Sequence, residues 1–281
     1  MRVFVTGGRG QVGTEVVTAF AGSGHEVVAP ARDQFDLASR DSVLQAITTT
    51  RPDAIVHAGA WTDVDGCELD PDRAYAVNAL GTRHVAEAAR VVGARVVYLS
   101  TDYVFSGDLD RPYHEWDGPN PLSVYGRSKL GGERELGPGA TVVRTSWVCG
   151  RHGRNVVKTV LAAAANADRP LRFVDDQQGS PTFAPDLAAT IHRLVVARRP
   201  GTFHVTNQGV TTWHGFARAV LAAAGRDPEV VQAIKTSQLD PPRPAPRPAN
   251  SALDNAALRL SGLPLLPPWE ESLARLVKEL S

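Results

Sequence analysis

The amino terminus limits the fold more than any other part of the chain. Arg2 to Thr6 (RVFVT) is a short β-rich run, and it opens directly into TGGRGQVG. There Gly7, Gly10 and Gly13 are spaced G-x-x-G-x-x-G, ahead of a helical pattern from Gly13 to Gly22. The spacing serves geometry. The first glycine permits a tight turn, the second lets backbone approach a diphosphate, and the third lets the helix lie close to the strand. A diphosphate held there faces helix N-terminal amides and the positive end of the helix dipole. A glycine motif alone is weak evidence. Its placement between a first strand and a first helix makes it a dinucleotide-binding loop.

The strand–helix unit then recurs along the chain. Strands are predicted at Glu26 to Ala29, Ala54 to His57, Val96 to Ser100 and Thr141 to Arg144, and helices at Arg40 to Thr50, Pro71 to Val92 and Val124 to Leu136. The strands are continuous apolar runs, as in a parallel sheet covered on both faces. The fold class is therefore α/β: a Rossmann-type doubly wound parallel sheet with a smaller C-terminal substrate-binding cap. Residues 1–150 form the expected NAD(P)-binding Rossmann domain, elements within 155–211 are expected to return to it, and 151–281 is otherwise mostly cap. That region carries helical patterns at Asn155 to Ala165, Asp186 to Arg198 and Pro268 to Leu280, and strands at Leu171 to Val174 and Thr202 to Thr206. DPPRPAPRPANS (240–251) cannot be helix interior and reads as an extended connector.

Composition narrows the partners. Thirty basic and thirty acidic residues cancel, so no basic field points to nucleic acid or membrane, and an anionic substrate must be held by a few local cations. Two distant cysteines, Cys67 and Cys149, fit a reducing compartment better than a disulfide framework. No apolar run reaches the roughly 18 residues that cross a bilayer, and MRVFVTGG is not a signal peptide. A cytoplasmic protein is expected.

The chemistry lies at the end of the fourth strand. VVYLS runs into Thr101, at the carboxyl end of the sheet where such folds bind ligands. Downstream, Tyr125-Gly-Arg-Ser-Lys129 puts a tyrosine and a lysine on one helix face. A ketone accepting hydride develops charge on oxygen and needs a proton. Tyr125 can supply it if its pKa falls, the Lys129 ammonium favours the phenolate, and Thr101 can hydrogen-bond the carbonyl oxygen. Both the glycine spacing and this Thr-Tyr-Lys group resemble the extended short-chain dehydrogenase/reductase superfamily. In APARDQFDL, after the second strand, Arg32 can accept a 2′-phosphate, which favours NADPH, while the neighbouring Asp33 leaves NADH open.

Longer strings point to one branch. AGAWTDVDGCE, NALGTRHVAEAA, LSTDYVFSGD, NPLSVYGRSKLGGE, RTSWVCG, DDQQGSPT and RPANSALDNAAL together resemble the dTDP-4-dehydrorhamnose reductase family, from Met1 to about Leu273. The resemblance implies NAD(P)H-dependent reduction of the C4 ketone of dTDP-4-dehydro-6-deoxy-L-mannose to dTDP-L-rhamnose. It places Gly7, Gly10, Gln11 and Val12 at the cofactor diphosphate, and Asp36 and Leu37 at the adenine. Ala58, Gly59, Ala60 and Thr62 form the wall beside the adenosine and the nicotinamide ribose, and Lys129 can also bond the nicotinamide ribose. Thr101 and Tyr125 would touch the substrate, with Val64, Tyr103 and Trp147 lining the sugar pocket. Arg247, in the connector, can reach the substrate diphosphate.

The chain also departs from the family pattern. His57 stands before the alanine-rich turn, and is expected to make a backbone contact. Glu15 matches one position of a glutamate cluster that binds metal at a dimer interface in some members, but Pro185 stands where another acid is needed. No metal is expected, and with it goes the argument for that dimer, leaving a monomer or weak homodimer. Asp102 has no glutamate after it, which argues against a dehydratase. A reductase of another nucleotide-linked 4-keto deoxysugar stays open, as does a non-catalytic cofactor-binding regulatory subunit.

Overall fold

A computed structural model describes residues 1–165 and 171–280. Six parallel strands form the central sheet: β1 (Arg2–Thr6), β2 (Glu26–Val28), β3 (Ala54–His57), β4 (Arg95–Thr101), β5 (Thr141–Thr145) and an edge strand at Gly201–His204. Their order is Gly201–His204, β5, β4, β3, β1, β2. The chain winds outward from β1 to β2 and then returns to the other side of β1 to make β3. The switch point between β1 and β3 is where an open α/β sheet leaves a crevice for ligand.

The two-residue period of a strand sorts the core into two layers. Val3 and Val5 point with Val56 and Val143 towards helices α1 (Gln11–Gly22) and Ala184–Val196, through Val16, Phe20, Leu187 and Ile191. Phe4, Ile55 and Val96 point the other way, onto α2 (Arg40–Thr50) and the helix Gly81–Val92, through Val43, Ile47, Val85 and Ala89. Truncating one of these large buried side chains to alanine costs about 2–5 kcal/mol, because the cavity does not close. Both faces are thus covered, and the edge strand and its helix come from beyond residue 150.

The helix predicted over Pro71 to Val92 is divided. It consists of a short helix at Pro71–Tyr75, a π-helical turn at Ala76–Leu80, and the regular helix Gly81–Val92. The cause is Asn78, 1% exposed, whose side chain accepts from the Trp61 amide at 2.8 Å and donates to the Trp61 carbonyl and the Ser128 hydroxyl, each at 3.0 Å. A further short helix, Val64–Leu69, is capped by Asp63, whose carboxylate accepts from the Gly66 amide.

The C-terminal part builds a second apolar core around Phe216, Val220, Trp269 and Leu273. Three small strand pairs support it: Leu171–Val174 with Val231–Ile234, Gln178–Gly179 with Thr211–Thr212, and Val148–Cys149 with Thr182–Phe183. The proline-rich connector has neither helix nor strand. It is stitched down by the Gln178 amide donating to the Ala249 carbonyl and the Ser251 amide to the Gln178 carbonyl, both at 2.8 Å. Among the described residues no helix is long and apolar enough to cross a membrane.

Candidate active site

The glycine loop sits at the switch point. Gly7 has φ +67°, and a Cβ there would lie 2.8 Å from the Gly59 backbone of the next loop. A Cβ on Gly13 would come within 2.0 Å of the Gly7 carbonyl oxygen, so α1 packs against the turn only because that side chain is missing. Gly10 is the N-cap of α1 and brings no side-chain cap, which leaves the first-turn N–H groups to an anion. This narrow, uncapped cradle fits a dinucleotide diphosphate. The side chains of Gln11 and Val12 are otherwise engaged: Gln11 donates to the Val148 carbonyl at 2.7 Å, and Val12 is buried in the core. Only their backbone is available to a ligand.

Around the cradle, the Gly59 amide donates to the Thr6 hydroxyl at 2.9 Å, and a Leu37 methyl lies against Gly59. Asp36 turns its carboxylate to the Ala38 amide at 3.0 Å. Arg32 is exposed in the turn after β2 and makes no hydrogen bond or ion pair with a described residue. Ala58 and Ala60 are half-buried and Thr62 is exposed. His57 makes side-chain rather than backbone contacts: its ring bonds the Thr6 hydroxyl at 2.7 Å and the Thr82 hydroxyl at 3.2 Å. Burial, with a smaller contribution from Lys129, lowers its pKa to about 3. It is a neutral brace between two strands and a helix.

The helix Val124–Arg134 carries Tyr125 and Lys129. Its first turn is held twice, by Ser123 accepting from the Gly126 amide at 3.2 Å and by Glu68 accepting from the Val124 amide at 2.8 Å. One such cap stabilises a helix start by about 1 kcal/mol. Tyr125 packs with Val64, Trp61, Tyr103 and Cys67, and the Tyr103 and Tyr125 rings meet edge to face at 5.9 Å. Burial pushes the Tyr125 phenol up, and the Thr101 hydroxyl pulls it the other way. Lys129 is 2% exposed, donates to the Leu99 carbonyl at 2.7 Å, and lies 4.1 Å over the Tyr98 ring. Burial lowers its pKa to about 7, against the opposing charge of Glu133. Glu133 is itself clamped by Arg144 at 2.9 and 2.7 Å.

From the sequence, Asp102 has only the negative role of an acid without a glutamate. In the structure it is 3% exposed and accepts from the Thr101 hydroxyl at 3.0 Å, while its second carboxylate oxygen is buried without a partner. Burial raises its pKa to about 7, so it keeps a proton into the neutral range. Its place directly after Thr101 is the signal that could have found it. The groups assembled here, a phenol, an amine, a hydroxyl and a carboxylic acid beside a diphosphate cradle, can give and relay a proton in a site largely closed to water.

Two expected pocket residues are placed differently. Trp147 has φ +46° and stacks on Trp213, within the second core rather than with Tyr103. Arg247 is not a free cation. Its fork is spent on Asp65, with Nη1 to Oδ1 at 2.5 Å and Nη2 to Oδ2 at 2.8 Å. Glu15 faces His152 at 3.8 Å. Both cysteines are free and buried.

The RmlD substrate binding domain family matches residues 1–281. The dTDP-4-dehydrorhamnose reductase of Mycobacterium tuberculosis is 40% identical over 97% of this chain and 91% of that protein. The spore coat polysaccharide biosynthesis protein SpsK of Bacillus subtilis is 36% identical over 100% of this chain and 98% of its own. The crystal structure of dTDP-4-dehydrorhamnose reductase from Bacillus anthracis in complex with NADP superposes with a TM-score of 0.94, at 36% identity and over 99% of each chain. The chain belongs to the RmlD substrate-binding-domain family, the family of the dTDP-4-dehydrorhamnose reductases.

Proposed function

We propose that this protein uses NADPH to reduce the C4 ketone of dTDP-4-dehydro-6-deoxy-L-mannose, giving dTDP-L-rhamnose. One observation carries the reading: Thr101 ends β4 at the carboxyl end of the sheet with its hydroxyl against the Tyr125 phenol, Lys129 stands one turn further along the same helix, and a glycine cradle that no side chain caps follows β1, two strands away. The relatives named for this reaction, and the related structure in complex with NADP, support it.

When bound, the reduced nicotinamide supplies the hydride. Tyr125 donates its proton to the carbonyl oxygen as charge develops there. The phenol of a closed site resists ionising, and the Thr101 hydroxyl lowers that cost; a protonated Lys129 one turn along the helix would lower it further. To fix the carbonyl oxygen, the Thr101 hydroxyl turns its one proton from Asp102 to the substrate, and the protonated carboxyl of Asp102 can then donate to the Thr101 oxygen in turn. Val64 and Tyr103 form an apolar wall suited to the C–H faces and methyl group of a 6-deoxy sugar. Arg32, exposed and without a hydrogen bond or ion pair to a described residue, would accept a 2′-phosphate.

The test is NADPH consumption, followed by absorbance, with freshly generated dTDP-4-dehydro-6-deoxy-L-mannose. Turnover yielding dTDP-L-rhamnose is expected. No turnover, with NADPH still bound, and turnover with a different nucleotide-linked 4-keto sugar would replace the substrate; silence with every such sugar would favour a regulatory cofactor-binding role.

A further inference from the structure

The sugar nucleotide must bring two phosphates into a protein whose net charge is zero. The cations that meet them must be local, and the proline-rich connector carries Arg243 and Arg247 on either side of Ala245, whose amide is bonded to Asp65 at 3.1 Å.

Arg247 is locked. Its side chain is 8% exposed and makes a two-pronged pair with Asp65 of the helix Val64–Leu69, while its Nη1 also donates to the Ala245 carbonyl at 2.7 Å. Asp65 accepts a third bond from the Ala245 amide at 3.1 Å. A planar fork offers two parallel donors to one carboxylate, and here that carboxylate is Asp65. Only its Nε, buried and without a partner, is uncommitted. The pair fastens the connector to the residue next to Val64, beside the sugar wall.

Arg243 is the opposite case. It is exposed and makes no hydrogen bond or ion pair with a described residue, yet it lies within electrostatic reach of Arg247, Tyr103 and Asp65. Asp65 is bonded to Arg247, and no described carboxylate is bonded to Arg243, whose charge is therefore free for a ligand. Each half of the arrangement has a separate job.

We infer that Arg243 is the ligand for the diphosphate of a nucleoside-diphosphate substrate, and that the Arg247–Asp65 pair is a strut that positions the connector carrying it. The inference rests on the nucleotide-sugar reading above, but its test does not need turnover. Binding of dTDP, of thymidine and of NADPH is titrated calorimetrically on the wild type and on Arg243→Gln, Arg243→Lys and Asp65→Asn. Arg243→Gln is expected to weaken dTDP roughly ten- to hundredfold, the usual loss of a charge-assisted hydrogen bond. Thymidine, without phosphates, and NADPH should bind as in the wild type, and Arg243→Lys should recover part of the loss. With the sugar nucleotide, KM should rise in parallel while kcat stays within about twofold. Arg243 has no partner to lose, and unchanged NADPH binding shows that the fold is intact. Wild-type dTDP affinity in Arg243→Gln overturns the inference, as does dTDP binding that tightens in Asp65→Asn and stays as tight when Arg243→Gln is added, which would mean that a released Arg247 is the ligand. A wild type that does not bind dTDP also overturns it. A wild type that binds dTDP but reduces no 4-keto sugar would remove the proposed reaction and leave this site standing.

Discussion

Trp147 and Trp213 stack face to face, ring centroids 3.5 Å apart and planes 9° from parallel. Trp147 stands at φ +46°, a conformation that costs a non-glycine residue on the order of 1–3 kcal/mol and persists only where its surroundings hold it. Trp213 opens the helix Trp213–Ala223, directly after the Thr211–Thr212 strand that pairs with Gln178–Gly179. Gly179 closes the slot from the other end of that pairing, since a Cβ there would lie 2.4 Å from the Trp147 ring.

Opening this clamp costs stability. Trp213→Ala should destabilise the fold by about 3 kcal/mol, the low end for losing a large aromatic, because both rings are half-buried. Gly179→Ala should displace the Trp147 ring. If Trp147 borders the sugar, KM for the sugar nucleotide rises in both variants while NADPH affinity is kept. Denaturant unfolding and the two sets of constants check this, and an unchanged sugar KM in both would remove Trp147 from the pocket.

The cofactor cradle can be closed by one carbon. Gly13→Ala forces a methyl against the Gly7 carbonyl, and the turn must open to admit it. NADPH binding is expected to fall by more than tenfold, about 1.4 kcal/mol or more. Arg32→Ala, by contrast, should weaken NADPH and spare NADH. Equal losses for the two cofactors would refute the role of Arg32.

The role proposed for Lys129 predicts a pH dependence. On that reading its ammonium favours the Tyr125 phenolate, and in the ligand-free protein burial lowers its pKa to about 7. Since kcat/KM reports the free enzyme, it should fall as pH rises through about 7. Lys129→Arg, whose charge does not titrate in this range, should carry the fall to higher pH with whatever activity it retains. A descending limb that does not move would assign it to another group. Tyr125→Phe should abolish turnover and keep cofactor affinity.

Two buried histidines set the acid limit. Burial lowers the pKa of His57 and of His204 to about 3, from an ordinary 6.5. Between those values the unfolded chain binds protons that the folded chain refuses, so stability is lost as pH falls from about 6.5 towards 3. His57→Gln keeps a polar group between Thr6 and Thr82 and should flatten that decline in a plot of Tm against pH. Asp102 titrates in the opposite sense but is common to both proteins, so it cancels in the comparison. Parallel declines would show that His57 does not contribute.

Much of the sheet is legible in the sequence because its causes are local. Arg2–Thr6, Ala54–His57, Arg40–Thr50 and Leu171–Val174 have the bounds that the apolar or helical pattern gives, the other four strands of the central sheet differ from expectation by a residue or two at an end, and short strands such as Thr211–Thr212 and Val231–Ile234 carry no pattern that announces them. The features that escape a linear reading depend on distant partners. The Pro71–Val92 pattern looks continuous because nothing in its own periodicity reveals that Asn78 bonds Trp61 and Ser128. Arg247 looks like a loose cation because Asp65 is 182 positions away. Trp147 is pointed at the sugar by its place after a strand, yet its stacking partner is a residue that no motif singles out. Thr101 stands at a strand end and Tyr125 and Lys129 on one helix, as the local pattern predicts, because those placements depend on near neighbours in sequence.

The most direct test traces the hydride. NADPH deuterated at its transferable nicotinamide position is turned over with dTDP-4-dehydro-6-deoxy-L-mannose, and the nucleotide sugar is examined by mass spectrometry and proton NMR. The account predicts one deuterium at sugar C4 with wild-type enzyme and none with Tyr125→Phe. Label at another carbon, or NADPH consumed with no label in the sugar, would contradict it.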